Sequence, residues 1–309
     1  DPVKGEVCNP KTTSCEPSKP IGGPSATGKY YLYSMFKSGD SAFKGGYDVD
    51  SYVETIGDNE VNYLYVNRST QLDVYKVKGI DSDGDGTFEP HQHPENPDKK
   101  GPVEERQLEF VKTYSNVKLG QPSVGEIYAL KDRIMFLRRE GTSYPGTYNL
   151  YEFVFATGKT NTLFKGNPKL PMCVLGYDKT NKRWYGGWNS SVRRVYALYP
   201  GQGGWAVEFD YPNLAGSHMD GLEVVFDPKK KVPYVYVSDM TSDFLAQYFY
   251  DTATRQWVQK NVFEYKETEM QYVEGMGFGA FQHFWATSGK AVYEVGGGDL
   301  QKYVGPQIE

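Results

Sequence analysis

The chain is short of the residues that most covalent and metal chemistries use. Its 309 residues include only 3 cysteines and 4 histidines. No apolar run approaches the ~20 residues a membrane-spanning helix needs, so a membrane span is not expected. A nucleophile elbow, an H-E-x-x-H helix and a nucleotide-binding glycine fingerprint are also missing, so the familiar covalent, zinc and dinucleotide mechanisms have no motif. Lys and Arg number 34 against 39 Asp and Glu, for a net charge of -5. They are scattered and make none of the basic tracks that follow a phosphate backbone, which argues against a nucleic-acid partner. Apolar residues at helical spacing are scarce as well.

Aromatic residues and turn formers are abundant. Tyr 26, Phe 16 and Trp 5 accompany Gly 34 and Pro 18, a mixture that favours strands joined by tight turns. Residues 1–28 are rich in proline and poor in aliphatic side chains, and read as a tail without a core of its own. Cys8 and Cys15, with six residues between them, are spaced to close a small loop as a disulfide, which suggests an oxidising compartment: secreted, periplasmic or cell surface. No charged region followed by an apolar stretch opens the chain, so the alternatives are a cytosolic protein or a leader already removed. Cys173, in the apolar run PMCVLGY, reads as a buried small hydrophobe.

From residue 29 to 309 short alternating segments recur between turns, as half-buried strands do. The clearest unit is HMDGLEVVFDP, PYVYVSDM, DFLAQYFYD and QWVQKNVFEYK, four strands in a meander. A second unit follows as YVEGMGFGAF, HFWATS, AVYEV and LQKYV, its Glu274-Gly275-Met276 matching the Asp220-Gly221-Leu222 that opens the first. Three further units lie upstream, and the period of about 45–50 residues is that of stacked sheets around an axis. The expected fold is therefore an all-β propeller of four-stranded blades. Five blades are expected, with a six-bladed ring as the alternative. The strand KYYLYSMF is left over to pair with the last blade and close the ring.

The stretch DGLEVVFDP resembles the blade openings of the secreted propellers that include gluconolactonases and paraoxonases. That resemblance implies a lactonase or related hydrolase with a calcium held by acids and asparagines at the channel mouth, although no asparagine here matches that ring.

An insertion at about 79–106 interrupts the first blade. Within it Asp81, Asp83, Asp85, Gly86 and Glu89 fit D-x-D-x-D-G-x-x-E, with Thr87 placed to add its carbonyl. Alternate carboxylates on a tightly wound loop converge on a hard cation, so Ca2+ is expected there, mainly to rigidify the insertion. The loop resembles the short calcium loops of integrin propellers and thrombospondin type-3 repeats. His91 and His93 follow; two residues apart on an extended segment they face one way, a possible copper or zinc pair, with Glu95 and Asp98 beyond. Two solvated loop histidines are the plainer alternative.

Candidate catalytic residues are His218, Asp220, Glu223 and Glu274, with Glu126 at the corresponding place in another blade, because first strands line a propeller channel and crowded carboxylates perturb one another. Water-filled channel lining is the alternative. His283 reads as a packed member of an aromatic cluster. Asn67-Arg68-Ser69 and Asn189-Ser190-Ser191 match the glycosylation acceptor. The functional expectation is a calcium-binding module for a protein or glycan partner, exposed Tyr and Trp offering flat apolar faces. A metal-dependent hydrolase using the channel acids is the alternative, and a surface copper or zinc binder the third.

Overall fold

A computed structural model describes residues 6–8, 15–17, 31–80, 92–93, 96–100, 106–120, 126–141, 147–166, 172, 174–187, 194–211, 219–227, 232–239, 244–264, 270 and 273–296. Strands β1 (Glu6–Cys8) and β2 (Cys15–Pro17) form a ribbon in which Cys8 stands opposite Cys15. Strand β3 (Tyr31–Lys37) precedes the first blade. That blade is β4 (Asp48–Ile56), β5 (Asn59–Asn67), β6 (Gln71–Gly79) and, beyond the insertion with its short ribbon β7 (Gln92–His93) and β8 (Asn96–Lys100), β9 (Arg106–Ser115).

Blade 2 is β10 (Ile127–Ala129), β11 (Arg133–Glu140), β12 (Thr147–Val154) and β13 (Lys159–Phe164). Blade 3 is β14 (Val174–Asp178), β15 (Arg183–Gly187), β16 (Arg194–Leu198) and β17 (Ala206–Asp210). Blade 4 is β18 (Met219–Asp227), β19 (Val232–Asp239), β20 (Phe244–Asp251) and β21 (Gln256–Glu264). Blade 5 takes β22 (Gly275–Phe278), β23 (Phe284–Thr287) and β24 (Ala291–Gly296), and its fourth strand is β3, antiparallel to β24. The protein is thus an all-β, five-bladed propeller closed by its N-terminal strand. The outer place that the sequence pattern gives to residues 300–304 belongs to β3, and 300–304 lie outside the described residues. Closure hydrogen-bonds the outer edge of β24, which would otherwise be free to pair with another chain.

Burial follows from this ring. The buried apolar side chains fall into five clusters, one at each blade–blade interface, so every blade is covered on both faces. Blade 1 shows the logic: Tyr52, Tyr65 and Val74 face blade 2, whereas Val49, Leu64 and Tyr75 face Trp285 and Val292 of blade 5. Side chains alternate along a strand, so both faces must be apolar or aromatic, which accounts for the aromatic wealth of the sequence. Each blade also carries a register shift between its third and fourth strands: at Val74/Tyr75, Leu150/Tyr151, Val195/Tyr196, Gln247/Tyr248 and Glu294/Val295. A bulge at this point increases local twist, turning the outer strand away from the axis so that the blades fan outward.

Candidate functional site: the channel carboxylates

The innermost strand of each blade has one edge with no strand beside it, and its N–H groups need acceptors in a space with little water. Acidic side chains from neighbouring blades supply them. In β4, Asp48 accepts from the Ile127 N–H at 2.5 Å and Asp50 from the Ala129 N–H, joining blade 1 to blade 2. Glu126, just before β10, accepts from the Leu175 N–H of blade 3 at 2.6 Å and from the Leu222 N–H of blade 4 at 2.9 and 3.1 Å. Glu223 accepts from its neighbour Val224 N–H at 2.6 Å and from the Phe278 N–H of blade 5 at 3.1 Å. Ser51 completes the circuit: its Oγ accepts from the Ala280 N–H of blade 5 at 2.7 Å and donates to the Tyr63 carbonyl at 3.0 Å.

All four acids are buried. Burial is the main force raising their pKa values: it pushes Asp48, Glu126 and Glu223 well above the carboxylate range, against the pull of the backbone N–H groups. Asp50 is pushed up to about 7, burial again outweighing the N–H groups of Ala129 and Ser51 and the Lys179 charge. The Asp50 and Glu223 carboxyls lie within hydrogen-bonding reach of each other, a contact that favours the ionised form of Asp50 and the protonated form of Glu223. The strand facing β4 is cut to fit. A methyl on Gly275 would overlap the Asp48 carboxylate, one on Gly277 the Asp50 carboxylate and Cα, and one on Gly279 the Ser51 side chain.

Gly277→Ala is therefore expected to cost about 3 kcal/mol, near the top of the usual overpacking range. Gly203, with open space where a Cβ would stand, provides the control: Gly203→Ala should leave the denaturant midpoint nearly unchanged. Equal midpoints for the two variants would show that the glycine–aspartate fit does not matter.

The residues singled out in the sequence are placed unevenly. Glu126 and Glu223 are channel groups engaged with backbone, while Asp220 on β18 and Glu274 just before β22 are half-buried, Glu274 close enough to raise the Asp48 pKa. His218, Cys173 and Asn189 lie outside the described residues, as do Asp81, Asp83, Asp85, Thr87, Glu89 and His91; His93 is described only as part of β7. Among the described residues no group of three or more His, Cys, Asp or Glu side chains is gathered as metal ligands. Asn67 is fully buried and its Oδ1 accepts from the Ser69 N–H, which leaves no room for a glycan.

Asp48 and Asp50 were not anticipated, although two acids at alternate positions of YDVDSYVET and three alternate glycines in GMGFG were visible. A second buried cluster was also missed. Glu294 on β24 accepts from Arg106 Nε at 3.0 Å and from Ser34 Oγ at 2.7 Å, and lies 2.7 Å from His283 Nδ1, while His283 packs on Tyr33. Burial alone would raise the Glu294 pKa, but His283, Arg106 and Ser34 together hold it below the usual value. This cluster pins the start of β9 in blade 1 to blade 5, beside the closing strand.

No family model matches the chain, and no curated protein matches it. Similar solved structures include an auxiliary nutrient binding protein from Bacteroides thetaiotaomicron, at 10% identity and TM-score 0.43 over 87% of this chain and 76% of that one. A gluconolactonase from Xanthomonas campestris is similar at 9% identity and TM-score 0.39, over 91% and 99% of the two chains. A streptogramin B lyase is similar at 9% identity and TM-score 0.39, over 87% and 98%.

Proposed function

We propose that the chain is a secreted or surface-displayed, calcium-stabilised propeller that binds a ligand rather than transforming one. One observation carries this reading: the channel carboxylates best placed for acid–base work have their oxygens turned onto inner-strand backbone N–H groups, those of blades 3 and 4 for Glu126 and those of its own blade and blade 5 for Glu223. A carboxylate so engaged holds the ring and is poorly placed to exchange a proton with substrate. Ligand binding then falls to the clefts between blades at the rim. The insertion carries the calcium, through Asp81, Asp83, Asp85, Thr87 and Glu89, and the opposed Cys8 and Cys15 are joined as a disulfide.

Calcium titration tests the metal. At a hundredfold excess over Kd, a native-state ligand adds about 2.7 kcal/mol of stability. Thermal melting should therefore rise with CaCl2 and fall back with a chelator, and Asp83→Ala/Asp85→Ala should abolish the response. A response unchanged in that variant would place the ion elsewhere. The hydrolase alternative is favoured by the half-buried Asp220 and Glu274, with Glu274 close enough to the channel acid Asp48 to raise its pKa. Turnover of a lactone that disappears in Asp220→Asn and Glu274→Gln while both variants stay folded would replace the binding reading.

A further inference from the structure

A cavity of about 240 Å3 opens at the edge of the interface between blades 1 and 2. Its floor is one face of blade 1, set by register: Tyr52 pairs with Tyr63 and Tyr63 with Lys76, while in the next row Tyr65 pairs with Val74 and Val74 with Lys112. Blade 2 supplies Phe155, just beyond β12, and Lys131 from the β10–β11 turn. Phe155 stacks on Tyr65 (5.2 Å between centroids, planes 10° apart) and on Tyr114 (5.3 Å, 13°). These contacts hold the aromatic walls rigid, so little side-chain freedom is left to lose when a ligand enters.

Charge selects the occupant. Lys76, Lys112 and Lys131 line the cavity with Glu54 as its one carboxylate, and Glu54 is hydrogen-bonded to the Tyr63 hydroxyl. Among the described residues no carboxylate pairs with Lys112 or Lys131; the Lys112 ammonium instead lies 4.2 Å over the Tyr114 ring. A cationic guest of the kind aromatic cages bind would face three like charges, whereas an anionic one replaces weak cation–π contacts with charge-assisted hydrogen bonds. The volume is below the ~300–1,000 Å3 of drug-sized sites and fits a single ring.

We infer that this cleft binds a single six-membered ring bearing a carboxylate, the ring face on tyrosine and the carboxylate on Lys112 and Lys131. Both a sugar acid and an aromatic acid present that chemistry. The inference rests on the ligand-binding reading above and names its site and ligand class.

Calorimetric titration of the whole chain with glucuronate, 4-hydroxybenzoate, glucose and choline tests it. Binding is expected for one or both acids, and which acid binds identifies the source. Affinity should fall as salt shortens the Debye length. Lys112→Ala and Lys131→Ala should each weaken it about tenfold, the size of one lost hydrogen bond to a charged group, while Lys112→Arg largely retains it. Both lysines are exposed, so neither substitution should disturb folding. Glucose binding as tightly as glucuronate would overturn the charge inference and leave the binding module standing. Choline binding in preference to both acids, acid binding indifferent to both lysine substitutions, or no binding by any probe would overturn the site. Failure of the wider reading shows separately, as lactone turnover that depends on Asp220 and Glu274.

Discussion

Replacing Glu126 by alanine is expected to destabilise the protein by about 4 kcal/mol. This side chain is the acceptor for two inner-strand N–H groups, Leu175 in blade 3 and Leu222 in blade 4, and so ties three blades together near the axis. Alanine strands both donors in a buried space, at roughly 1–3 kcal/mol each, and leaves a cavity in addition. Glutamine separates hydrogen bonding from charge. Its oxygen, at the Oε2 position, still accepts from Leu175 and Leu222, while its NH2 points at the Leu222 N–H, one unfavourable contact. Glu126→Gln should therefore cost about 1–2 kcal/mol. Urea unfolding of the two variants reads the difference, and thermal melting should show the alanine variant lower by about 6 °C at this size. If alanine matched or exceeded the wild type in stability, the penalty for burying the acid would outweigh the bonds it makes, and the ring of carboxylates would not be what holds the blades in register.

The fold was legible because a propeller writes the same instruction into the sequence repeatedly. DGLEVVFDP and EGMGFGAF open two blades with the same acid–glycine–apolar step, and the structure gives them equivalent places, Gly221 opposite Ser238 and Gly275 opposite Thr287. Ring closure by the strand at residues 31–37 was legible as a leftover strand, but its place was not: it pairs directly with β24, where the sequence pattern had set residues 300–304. The bulge in every blade was not legible: a tyrosine follows the shift in four of the five third strands, but the extra residue lies in the fourth strand, where Val111, Leu163, Glu208, Lys260 and Tyr33 share no chemistry.

The channel was half legible. Glu126 and Glu223 could be placed near the axis by analogy between blades, but their role could not, because the partners are backbone N–H groups that no residue type announces. Asp48 and Asp50 were hidden by the same logic that hid Glu294. An acid at an alternating position of an aromatic strand reads as solvent-facing, and becomes a buried group only once strands distant in sequence close over it. Arg106 and Glu294, 188 positions apart, meet only because the first and last blades are neighbours.

A protein built on raised carboxylate pKa values should be more stable in mild acid than at neutral pH. For a carboxyl group whose pKa is higher in the folded state, the folded protein binds the extra proton, so its contribution is complete below the unfolded pKa of about 4 and is lost as pH rises through the folded value. Asp50, shifted to about 7, places that loss between about pH 4 and 7, and Asp48, Glu126 and Glu223 act in the same direction. A shift of about 3 units in one fully buried group corresponds to roughly 4 kcal/mol. Glu294 has the opposite sign: its lowered pKa contributes stability that is present above the unfolded value and lost as pH falls through the folded one, below about 4. Together they predict a stability maximum near pH 4 and a decline that begins there and reaches several kcal/mol by pH 8. Urea midpoints measured from pH 3 to 9 give the profile. Asp50→Asn and Glu223→Gln should each flatten its neutral limb, because an amide has no proton to lose. A wild-type profile that instead rises from pH 5 to 8 would mean that the channel acids fold ionised, with their backbone N–H partners outweighing burial.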